Sequence, residues 1–137
     1  MSESNVTVVR RGYEAFGRGD IAGLLALLDE LVRWVTPGPP TLGTSGRRTG
    51  RQEVGAFFGA VNDLFEIQRF EPSEFIAQGD FVVVLGSETS RARSTGVVLD
   101  LDWVHVFTVR DGMVVAFQEH SDTAAIVAAL NAAQAAA

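Results

Sequence analysis

The sequence predicts an α+β fold in which a curved antiparallel sheet carries helices on its concave face and leaves a conical hollow between them. Three observations carry this reading. Apolar residues recur at helical spacing through the first half of the chain, the pattern switches to strands from Glu66 onward, and those strands are joined by short turns. With 137 residues, 47% hydrophobic and 20% charged, the chain has enough apolar surface for one core and too little length for two. Residues 1–137 are therefore read as a single domain, without internal repeats.

The first helix places Val6, Val9, Tyr13 and Phe16 on one face, with Arg10, Arg11 and Glu14 off it. Gly17-Arg18-Gly19-Asp20 ends it: glycine suits a left-handed helix end, and Asp20 caps the next helix. Arg18-Gly19-Asp20 spells an adhesion tripeptide but reads here as helix punctuation. Ile21, Leu24, Leu25 and Leu28 form a short second helix, and Leu31 to Val35 a short strand stopped at Thr36-Pro37. Residues 36–50 read as the longest loop, and a third helix from about Arg51 presents Val54, Phe57, Phe58, Val61 and Phe65. Ile67–Phe70 is a strand interrupted at Pro72 by a bulge or a sheet edge, resuming at Phe75–Ala77. Gln78-Gly79-Asp80 turns the chain into Phe81–Thr89; after a polar turn over 91–96, Val97–Val109 and Met113–His120 make a hairpin. Asp122 caps a final alanine-rich helix that extends to about Ala133.

Composition removes several chemistries. All eleven cationic residues are arginine, so no lysine can form a Schiff base or serve a phosphate loop. Cysteine is absent, which excludes disulfides, thiolate nucleophiles and cysteine-held metals within this chain. A net charge of −6 disfavours nucleic acid and anionic membranes as partners. No apolar run reaches the ~20 residues of a membrane span, and residues 1–11 carry no secretory core, so a cytoplasmic protein is expected. The chemistry left is that of carboxylates, two histidines, hydroxyls and arginine.

The hairpin concentrates those groups. A three-residue Arg110-Asp111-Gly112 loop pairs Val109 with Met113, sets His105 opposite Phe117 and Trp103 opposite Glu119, and gathers Trp103, His105, Phe107, Val115, Phe117 and Glu119 on one face. A two-residue loop instead pairs Arg110 with Met113 and sends Glu119 to the other face. The first register is preferred because it assembles every hairpin aromatic into one lining.

An imidazole and a carboxyl on an aromatic wall suit proton transfer. Apolar surroundings favour the neutral carboxyl and push Glu119 toward working pH, and His105 can orient or polarise a substrate oxygen or share the proton. The plainer alternative pairs Glu119 with an arginine such as Arg91 and leaves His105 as a hydrogen-bonded core residue. Tyr13 and Trp34 are read first as core, with Trp34 equally suited to line a cavity. His120 is a rim residue, and no metal is expected, since adjacent strand residues Glu119 and His120 point apart.

The chain resembles the SnoaL-like polyketide cyclase family, within the nuclear transport factor 2-like fold that also includes ketosteroid isomerases. The resemblance rests on Tyr13-Glu14-Ala15-Phe16 running into Gly19-Asp20, on Val32-Arg33-Trp34 before Pro37, and on Gly50-Arg51. The later part is closer: His105-Val106-Phe107, Arg110-Asp111-Gly112, and Phe117 through Asp122-Thr123-Ala124. It implies a cone-shaped α+β barrel, a homodimer formed through the sheet, a hydrophobic pocket, and carboxylate acid–base catalysis without cofactors. By the resemblance His105 is the family histidine, and Glu119 stands where the cyclases carry their catalytic aspartate. Thr36 rather than aspartate before Pro37 speaks against steroid isomerisation.

The resulting expectation is a cofactor-free cyclase- or isomerase-like enzyme for a hydrophobic, carbonyl-bearing or polycyclic small molecule. Glu119 and His105 are the catalytic pair, with Trp34, Phe58, Trp103, Phe107 and Phe117 lining the pocket. The alternatives are a non-catalytic binding or dimerisation module, and an epoxide hydrolase if Glu88 and Arg91 both face inward.

Overall fold

A computed structural model describes residues 2–132. In chain order the elements are α1 (Ser2–Gly17), α2 (Ile21–Leu25), β1 (Leu28–Thr36), β2 (Gly46–Thr49), α3 (Arg51–Leu64), β3 (Phe65–Gln78), β4 (Phe81–Ala92), β5 (Val98–Arg110), β6 (Met113–Ser121) and α4 (Thr123–Asn131). Ala133, where the last helix was expected to end, lies outside the described residues.

The six strands form one curved, unclosed sheet in the order β2-β1-β6-β5-β4-β3. The expected antiparallel pairing holds for every neighbouring pair except β1 and β6, which run parallel. Strands β3 to β6 form a meander of successive antiparallel neighbours. The last of them returns beside β1, which has been reached through two helices rather than through a hairpin, so nothing forces those two to oppose.

The expected helices form where their apolar faces recur. Asp20 and Asp122 accept hydrogen bonds from Gly23 N at 2.8 Å and Ala125 N at 3.0 Å, capping α2 and α4. Leu28, expected in the second helix, begins β1 instead and is buried. The long loop is shorter than expected because Gly46–Thr49 pairs with β1 through Arg33↔Thr49 and Thr36↔Gly46. Gly-Arg-Arg-Thr has no apolar alternation, and its residues stay largely exposed, so no buried face marks it as a strand. Arg48 secures the remaining loop by donating to the carbonyls of Gly43 and Thr44, while Leu42 is buried beneath it.

Pro72 satisfies both halves of its expectation. It lies on edge strand β3, and a register shift separates it from Glu74.

The hairpin register differs from both alternatives read from the sequence. The turn has two residues: Asp111 and Gly112 have φ of 51° and 77°, and Arg110 pairs with Met113. Both central residues are left-handed, as a type I′ turn requires, and aspartate tolerates that conformation well enough to precede glycine. Val109 then pairs with Val114 but Thr108 with Ala116, so Val115 is an extra residue in β6. This bulge turns the strand back by one residue. His105 consequently lies directly opposite Glu119, Phe107 opposite Phe117 and Trp103 opposite Ser121. The expected pairings of Val109 with Met113, His105 with Phe117 and Trp103 with Glu119 are corrected. Val114, expected on the outer face, is buried with Val109.

The concave side of the sheet and the inner faces of α1 and α3 share a core whose fully buried side chains include Val9, Val32, Val54, Val82, Val84 and Val109. One backbone position limits how closely the sheet packs. A Cβ at Gly86 would overlap the Trp103 indole and come within 2.8 Å of the Glu71 carbonyl oxygen. Neither obstacle is the free end of a flexible chain. Gly86→Ala is expected to lower unfolding stability by about 1–3 kcal/mol, read as a reduced denaturation midpoint.

Candidate functional site

Strand alternation and one helix bring three polar side chains together. His105 points inward from β5 and is 6% exposed, buried between strands whose neighbouring inward residues are aromatic. Its ring stacks on Trp103 with centroids 3.9 Å apart and meets the Phe117 ring edge-on at 4.8 Å. Buried ring nitrogens call for hydrogen-bond partners, and both find them in the protein. Tyr13, from α1, places its hydroxyl 2.7 Å from Nδ1; Glu119, from β6, places Oε1 3.1 Å from Nε2.

The proton arrangement follows from these partners. Burial, reinforced by the Glu119 charge, drives the Tyr13 phenol well above its usual range, so it stays a donor. An ionised carboxylate can only accept. Tyr13 O–H therefore donates to Nδ1, and Nε2–H donates to Glu119, with the imidazole neutral. Desolvation lowers the His105 pKa, against the opposing pull of the Glu119 hydrogen bond and charge. When Glu119 gains a proton, the same three groups can reverse: Glu119 O–H donates to Nε2 and Nδ1–H to the Tyr13 oxygen.

This chain of groups borders a cavity of about 140 Å³, counted as space open to the centres of water molecules. That space would hold several waters or one small organic molecule. The wall is mainly apolar and includes Trp34, Phe58, Phe107 and Phe117. Trp34 and Phe117 stack at 3.9 Å, and Phe58 meets Trp34 at 5.7 Å. Trp103 is placed differently. It does not border the cavity but lies beneath it, between His105 and Phe70. Its role in this geometry is to support the imidazole.

The sequence reading did not single out Tyr13 for the site, since one tyrosine on an apolar helix face looks like core. It also left Glu88 undecided. Glu88 faces the cavity, on the same side of β4 as Ser90, whose hydroxyl donates to its Oε2 at 2.6 Å. Burial raises the Glu88 pKa; the Ser90 hydrogen bond lowers it, the Glu119 charge adds to the rise, and the Arg69 charge opposes it. Arg91, between inward Ser90 and Ala92, takes the opposite face. The inward Glu88–Arg91 arrangement needed for the epoxide hydrolase alternative is thus not formed, and no arginine borders the cavity among the described residues. His120 is exposed, as expected of a rim residue, and no cluster of metal-ligating side chains occurs among the described residues.

Two substitutions test these electrostatics. Tyr13→Phe leaves Nδ1 buried without its donor and is expected to cost about 1–3 kcal/mol of stability, measured by denaturant unfolding. Glu88 has a folded pKa above its unfolded one, so its favourable contribution is complete below the unfolded carboxyl range near 4.3 and is lost as pH rises through the folded value. Glu88→Gln is therefore expected to gain stability relative to the parent protein at pH 8, with the gain shrinking as the solution is acidified toward pH 4.

Comparison with known proteins agrees with this architecture. No protein of curated function matches the chain. Among solved structures, a nuclear transport factor 2-like protein of unknown function from Burkholderia pseudomallei is 40% identical, with a TM-score of 0.88 over 96% of this chain and 100% of its own. A nuclear transport factor 2-like protein from Burkholderia xenovorans is 37% identical, with a TM-score of 0.86 over 96% of this chain and 98% of its own. TerC, crystallised with polyporic acid, is 31% identical, with a TM-score of 0.86 over 94% of this chain and 99% of its own. Residues 9–117 match the SnoaL-like domain. The protein belongs to the SnoaL-like domain family, with a nuclear transport factor 2-like fold.

Proposed function

We propose that the protein is a cofactor-free acid–base enzyme that moves a proton on a hydrophobic, carbonyl-bearing or polycyclic small molecule. The observation that carries this reading is the Tyr13–His105–Glu119 hydrogen-bond chain ending at an apolar cavity. Oε1 of Glu119 is held by His105, which leaves Oε2 to face an occupant.

In this reading Glu119 removes a proton from the carbon next to a substrate carbonyl, and the C–H electron pair becomes an enolate. The acquired proton can be shared with His105, whose opposite nitrogen is supported by Tyr13. Return of that proton to a different carbon gives an isomer. Attack of the enolate carbon on a second carbonyl of the same molecule forms a C–C bond, and the resulting alkoxide takes the proton back. Both outcomes balance without an added oxidant or metal. The apolar wall supports the reading in a second way, because exclusion of water strengthens the interactions at Glu119.

The co-crystallisation of TerC with polyporic acid supports an aromatic, oxygenated occupant here. The proposal extends to a homodimer formed through the outer face of the sheet, where Ile76, Phe81 and Leu85 are exposed, and to a cytoplasmic location. Light scattering in solution tests the dimer: a monomeric mass at micromolar concentration would overturn it.

Glu119→Gln keeps the shape of the side chain and its contact with His105 while removing the base. It is expected to reduce turnover of a responsive polycyclic ketone by at least about 100-fold, with thermal unfolding little changed. Full turnover in this variant rejects the assignment. The non-catalytic alternative separates cleanly, because it leaves ligand affinity unchanged with no turnover in either protein.

A further inference from the structure

The proposed reaction uses one end of the cavity, but the cavity has a second polar end. Glu88 is the only other carboxyl-bearing residue that borders it among the described residues. It projects inward from β4, which lies on the opposite side of β5 from β6 and Glu119. The rungs are also displaced: Glu88 pairs with Leu101, four residues along β5 from the His105–Glu119 rung. The two carboxyls therefore approach the hollow from different strands and different rungs.

The surroundings of Glu88 set what it can offer. Ser90, 2% exposed, fixes Oε2, so hydrogen bonding to an occupant falls to Oε1. The nearest cationic influence, Arg69, is engaged on the other face of the sheet by Thr89, Ser87 and Glu71. With no cationic partner in the cavity, burial and the Glu119 charge raise the Glu88 pKa against the Ser90 hydrogen bond and the Arg69 charge, which favours the neutral, hydrogen-bond-donating form.

We propose that Glu88, steadied by Ser90, is a second substrate anchor that donates a hydrogen bond to a carbonyl or enolate oxygen of the cavity's occupant. This assignment rests on the cavity being the substrate site, as read above, but not on Glu119 being the base. Glu119 and Glu88 then divide the work: one faces the carbon acid, and the other receives the charge that develops on the distant oxygen.

The test uses two bicyclic probes that differ by one hydrogen-bond acceptor: tetralone, with a carbonyl, and tetralin, without it. Calorimetric titration of the 137-residue protein is expected to show tetralone binding about fivefold more tightly than tetralin. That ratio is expected to fall to near one in Glu88→Leu, with Glu88→Ala giving the same result should the leucine variant fold poorly. It is expected to persist in Glu88→Gln, whose amide still donates, and in Glu119→Gln. A parent-like ratio in the leucine or alanine variant overturns the assignment, as does equal binding of both probes by the parent protein. Failure of the parent protein to bind either probe overturns both this assignment and the cavity reading beneath it. Loss of the ratio at Glu88 together with full turnover in Glu119→Gln upholds the anchor and removes the base.

Discussion

A neutral imidazole buried among aromatic rings is the constraint around which this site is built. His105 can occupy its position only because both ring nitrogens find partners, and those partners come from elements far apart in sequence. Tyr13 arrives on the first helix and Glu119 on the last strand. The hydrogen bonds thus tie α1 to the middle of the sheet, while Trp103 supports the ring from below. Removing any one of the three polar groups breaks the chain and leaves a buried donor or acceptor without its protein partner. Fold and chemistry depend here on the same few atoms.

Much of the architecture was legible because its signals are local and redundant. Val54, Phe57, Phe58 and Val61 announce a helix by spacing alone, and Asp20 and Asp122 announce helix starts by the bonds they make. Pro72 is compatible with few positions in a sheet, and it occupies one of them. What was not legible depends on contacts between distant segments. Gly46–Thr49 becomes a strand only because β1 offers it a partner, and the parallel meeting of β1 with β6 is fixed by how the whole sheet curls. Tyr13 carries no mark of its polar role in its own neighbourhood.

The shared face of His105 and Glu119 was inferred through a turn that does not exist. A three-residue loop and a two-residue loop followed by a bulge have the same effect on which side chains face inward, so the facing residues agree while the pairing differs. Asp111-Gly112 is compatible with either turn. The extra residue at Val115 has no sequence signature, because a valine in a run of valine and alanine fits a regular strand as well as a bulged one. The distinction matters chemically: the observed register sets the imidazole directly across from the carboxyl, within hydrogen-bonding distance, rather than diagonally from it.

The tight turn and the kink at Val115 form a compensating pair, and this makes the ribbon sensitive to odd changes in length. Inserting or deleting one residue between Thr108 and Phe117 alters the even–odd count, and unless the kink is gained or lost at the same time, Glu119 is carried to the outside of the cone. Paired changes preserve the count. Drift in this stretch is therefore channelled into coordinated steps, and relatives with a longer turn but a straight strand can keep the same inward-facing groups.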